Sequence, residues 1–75
     1  MSSAPKTTTQ VRHLAEHEQS VADSLATLAH GERDPKRYAY LHGQSLFHAG
    51  RADAYRSAHD LITAAVAARS ADDPA

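Results

Sequence analysis

His30-Gly31-Glu32-Arg33-Asp34-Pro35, written HGERDP, interrupts a helix-friendly chain of 75 residues near its middle. Gly31 predicts a helix end, because a glycine just past the last turn takes the left-handed conformation without a Cβ penalty. Asp34 followed by Pro35 predicts a helix start. The aspartate side chain accepts a hydrogen bond from an orphan backbone N–H, and proline at the first helical position gives up an N–H that had no partner. A connection this short makes consecutive helices antiparallel neighbours, so the stretch predicts an αα-hairpin.

Upstream of the turn, Val11, Leu14, Glu18, Val21, Leu25 and Leu28 recur at alternating spacings of three and four, a heptad seam with one polar member. This predicts a first helix over about 9–30, capped by Thr8 or Thr9. Downstream, Tyr40, Phe47, Arg51, Ala54, Tyr55, Ala58, Leu61, Ile62, Ala65 and Val66 fall within one broad stripe at helical pitch, and the stripe keeps its phase across Gly50. One long second helix over about 35–69 follows; the alternative is a three-helix bundle with a break near Gly50 and Asp53 capping a third helix. Residues 1–8 and 70–75, rich in Ser, Thr, Asp and Pro, read as flexible tails. The fold class is all-α.

Composition agrees. Alanine occupies 16 positions while Gly and Pro take three each, and there is one Phe and no Trp, which favours helix over strand. Eight Lys+Arg against nine Asp+Glu leave a formal charge of -1, without the basic excess that phosphate binding demands, so nucleic acid is not an expected partner. No cysteine is present, which removes disulfides and thiolate zinc sites as stabilisers and fits a reducing compartment. Without an apolar leader or an 18-residue apolar run, neither signal peptide nor membrane span is expected, and the predicted location is the cytoplasm.

Folding the second helix back about the turn opposes residues whose numbers sum to roughly 69. Glu18 then meets Arg51, each the charged member of its own apolar stripe, and because a charge at a seam is costly unless paired, a register-fixing salt bridge is predicted. Leu28 would meet Leu41, Val21 would meet Phe47, and Leu14 would meet Tyr55. Two rows of small residues at a spacing of seven, Ala15-Ala22-Ala29 and Gly43-Gly50-Ser57-Ala64, suggest that the helices approach closely. A first helix starting near 9 runs out opposite residue 60. That leaves Leu61, Ile62, Ala65 and Val66 without cover.

A chain this small cannot leave several large aliphatic side chains in water. The predicted function is therefore a non-catalytic protein–protein interaction module that self-associates, as a dimer forming a four-helix arrangement, and presents helix faces to a further protein. Phe47, Tyr55, His59, Leu61, Ile62 and Val66 are the expected interface. One alternative is a small nucleic-acid-associated regulator using Arg33, Lys36 and Arg37 at the hairpin tip with Lys6 and Arg12 at the other end.

The other alternative is a metal- or pH-responsive accessory protein built on surface histidines. His13 and His17, one helical turn apart, are weak candidates for a two-imidazole metal site. With Glu16 they spell H-x-x-E-H, similar to the inverzincin peptidase signature over five residues, but the chain has no room for a third distant ligand and a substrate cleft. His48 and His59 lie near the edge of the second stripe, where protonation at an interface edge would be felt, while His42 sits on the outer side. No cofactor, phosphate loop or nucleophile with its base is legible.

Overall fold

The structure is a computed structural model that describes the backbone of residues 4–72 and the side chains of residues 7–70. It is an all-α helical hairpin of α1 (Ala4–His30) and α2 (Pro35–Asp72). α2 runs without interruption through Gly50, so the three-helix alternative is excluded. Thirty-eight residues at about 1.5 Å each make a rod, and the molecule measures 62 × 17 × 12 Å.

The turn is built by two carboxylates. Asp34 Oδ1 accepts the Lys36 N–H at 3.1 Å, the N-cap bond expected of it, and the Asp34 carbonyl accepts the first α-helical bond from Tyr38 N–H at 2.8 Å. Glu32 Oε1 accepts the N–H groups of Arg33 (3.1 Å) and Asp34 (3.0 Å), two donors that would otherwise reach only water. The expectation for Gly31 is corrected. No glycine among the described residues has positive φ. α1 instead closes with Gly31 N–H on Thr27 O at 3.4 Å and a tighter bond from Glu32 N–H to Ala29 O at 3.1 Å, after which the Glu32 side chain reverses the chain.

α1 starts at Ala4, five residues before the expected start near 9, and α2 ends three residues past 69. Thr8 and Thr9 lie inside α1, so neither opens it. Pro5 falls in the first turn, where its missing N–H breaks no helical bond, and each further turn adds one bond per residue fixed. The expected tails at 4–8 and 70–72 are thus helical, while residues 1–3 and 73–75 lie outside the described residues.

Burial fixes the true seam. On α1 the covered line runs through Thr8, Val11, Ala15, Glu18, Ala22, Leu25 and Ala29; on α2 it runs through Leu41, Ser45, His48, Ala52, Tyr55, His59 and Ile62. Both sets alternate three and four, an antiparallel coiled-coil seam. The predicted phase of α1 is therefore corrected: Ala15, Ala22 and Ala29, placed beside the seam by the hydrophobic pattern, are in it, and Leu14 and Leu28 are exposed on its flank. In a single pair of helices, alanine lets the backbones approach closely and loses no side-chain rotamer freedom on burial. The matching small row on α2 is Ser45 and Ala52. The predicted row Gly43-Gly50-Ser57-Ala64 is exposed, and a methyl group at Gly43 or Gly50 would meet nothing within 4 Å.

Candidate functional site

Two features of this hairpin can carry function, a charged cluster in the seam and an apolar flank beside it. The cluster centres on Glu18, whose side chain is 9% exposed. Arg51 Nε lies 3.0 Å from Glu18 Oε1, and His48 Nδ1 lies 2.5 Å from Glu18 Oε2. The structure thus brings together the two residues paired in the sequence analysis. It adds a third that the hydrophobic pattern leaves at the stripe edge. His48 and Arg51 are one turn apart on α2, so both reach the same carboxylate; that spacing, with Glu18 as the lone acid in its seam, was the signal available. The His48 bond, then the positive charge of Arg51, holds the Glu18 carboxyl below the ordinary carboxylate range, against the opposing effect of burial.

Arg51 also sits 5.6 Å from the centroid of Phe47, within cation–π range, and Nη2 approaches the Tyr55 hydroxyl at 3.5 Å. Phe47 in turn meets His48 edge-on at 5.2 Å. The cluster therefore extends from the seam out to the flank of α2.

The flanks are of opposite character. On one side Arg56 Nη2 donates to Gln19 Oε1 at 2.6 Å across the two helices, and Arg56 also pairs with Asp53 at 2.8 Å. Arg12, Glu16 and Asp23 share this polar side, along a shallow open groove. At 100° per residue the opposite flank of α1 carries Leu14, Val21 and Leu28, and the same side of α2 carries Tyr40, Phe47 and Leu61; each set lies on one line at multiples of seven. Leu28, Phe47 and Leu61 are 60%, 55% and 72% exposed, whereas Ala52 in the seam is 0%. Among the described residues no large side chain is fully buried.

The six residues expected at an interface separate on this geometry. Phe47 and Leu61 are on the exposed flank. Tyr55, His59 and Ile62 occupy seam positions and are half-covered, and Val66 is on the seam line near the end of α2 with 36% exposure. The expectation that α2 outruns α1 holds over a shorter span than expected: α1 begins at Ala4, which brings residues 4–8 opposite 61–65, while α2 runs on to Asp72 and carries Val66 past the start of α1. Leu61 is bare because it points away from the seam.

The histidine pair His13 and His17 is exposed on α1. Among the described residues no group of three or more His, Asp or Glu side chains is placed to hold a metal ion. His42 stacks on Tyr38 at 5.6 Å, and His59 Nδ1 approaches Asp60 at 3.4 Å. At the tip, Arg37 pairs with Glu32 at 3.5 Å, so part of that basic group is neutralised by the turn itself. No described helix is long and apolar enough to cross a membrane.

The fold and the two features define a class, an antiparallel helical hairpin with a small-residue seam and one apolar flank. No family model matches the chain, and neither a curated protein nor a solved structure is similar to it.

Proposed function

We propose that this chain is a protein–protein interaction module that works by self-association, two hairpins pairing into a four-helix arrangement whose remaining helix faces receive a further protein. One observation carries this reading: among the described residues the buried apolar side chains are all alanines, while eight large apolar ones, Leu28, Phe47 and Leu61 among them, are exposed. An 8.1 kDa chain folded as a compact monomer exposes about 4,500 Å². This one exposes 5774 Å². Apolar area left in water forgoes about 25 cal/mol per Å², and a chain this short has little stability to forgo. The reading needs no catalytic group and no cofactor. Size-exclusion chromatography with light scattering tests it. A mass of twice 8.1 kDa supports it, and a mass of 8.1 kDa across the whole accessible concentration range overturns it.

A further inference from the structure

We infer that the occupant of the flank carrying Leu14, Val21, Leu28, Tyr40, Phe47 and Leu61 is the same flank of a second copy, related by a two-fold axis. This rests on the self-association reading above and assigns it a surface. Three properties of the flank select that occupant. Its apolar residues recur every seven residues along both helices, so the partner must present helices with the same repeat, and a second copy does so in register when turned end for end.

Area is the second property. The whole chain exposes about 1,300 Å² more than a compact monomer of its mass, so a pair that regained ordinary compactness would bury about 2,500 Å² in all, within the range of obligate homodimers. The third is charge. Arg51 and Arg37, which share one line on this side of α2, are already matched by Glu18 at 3.0 Å and Glu32 at 3.5 Å, so two such faces can meet without stranding a charge.

A lipid surface is the other occupant an apolar flank could take, but the far side of the hairpin carries Glu16, Asp23, Asp53 and Asp60 against Arg12 and Arg56. A helix lying on anionic lipid needs the opposite balance.

Leu46 supplies the control, since it is 61% exposed but lies toward the Arg56 side of α2. In the full chain, Leu28→Glu with Leu61→Glu is expected to raise the dimer dissociation constant at least a hundredfold, roughly, because each lost apolar contact enters twice. Leu46→Glu is expected to leave it within about threefold. Because a charged variant could also unfold, a second measurement reads the intact face. The chain has no cysteine, so a thiol introduced by Ala54→Cys, midway between Phe47 and Leu61, reports on that position alone. Its rate of alkylation should fall as concentration rises through the dimerisation range, while that of Ala39→Cys on the other side stays constant. A wild-type chain that is monomeric throughout removes the self-association reading and this one with it. A dimer that protects the thiol of the Ala39→Cys variant and not that of Ala54→Cys, or that survives the double substitution and yields to Leu46→Glu, keeps self-association and overturns the assigned face.

Discussion

Glu18 is the carboxylate at the centre of the seam's charged cluster. Alone at that depth a carboxylate would be expelled to solvent or protonated, and it stays ionised because His48 and Arg51 are set one turn apart on α2. The sign of the resulting pH dependence follows from its depressed folded pKa. Its contribution to stability is present in full above the unfolded-chain value, about 4.3, and is lost as pH falls through the lower folded value. Urea midpoints measured downward from neutrality should therefore drop on the acid side, and the drop should be smaller in Glu18→Gln, which has no proton to gain. An equal acid loss in that variant would show that Glu18 is not the group responsible. At the turn, Asp34→Ala removes the acceptor for Lys36 N–H and is expected to cost about 1 kcal/mol, read as a lower urea midpoint at unchanged slope. Asp34 was readable because a cap is a local signal. Glu32 was not, because its role depends on how the chain reverses around it.

At the scale of the helices, periodicity gave the elements and their order, and residue size decided which face each turns inward. Counting hydrophobicity placed Leu14, Val21 and Leu28 in the α1 seam; the neighbouring alanine row took it, a rotation of one residue. The Glu18–Arg51 contact was still legible because both phases share Glu18, and a register summing to 69 opposes the pair in either. The start of α1 was hidden because a Ser/Thr/Pro stretch reads as coil by composition, yet extending a nucleated helix adds a bond per residue. On α2 the same size argument locates glycines that hold no structural role. Gly43 and Gly50 face solvent with open space around them and no positive φ. Gly43→Ala and Gly50→Ala should each stabilise by about 1 kcal/mol, raising the melting temperature by about 4–8 °C apiece. A fall in either would mean that a neighbouring chain closes on that face, since the hairpin's own atoms leave the position open.

Taken whole, a 62 Å rod with no fully buried large side chain among its described residues has its most favourable remaining burial outside itself. Stability should then be a property of two chains and should depend on their concentration. For two 75-residue chains that unfold as they separate, the unfolding entropy is about 0.3 kcal/mol/K, and each tenfold rise in concentration adds about 1.4 kcal/mol, which predicts a melting temperature higher by roughly 4 °C per decade. Calorimetry over two decades resolves a shift of that size. At one concentration Leu28→Glu with Leu61→Glu should lower the midpoint by about twice the shift of one decade, and Leu46→Glu should leave it nearly unchanged, because only the first pair lies on the flank that the second copy covers. A wild-type midpoint that does not move with concentration would mean that the alanine seam, the Glu18 cluster and the two-carboxylate turn suffice to hold one hairpin folded with its leucines in water.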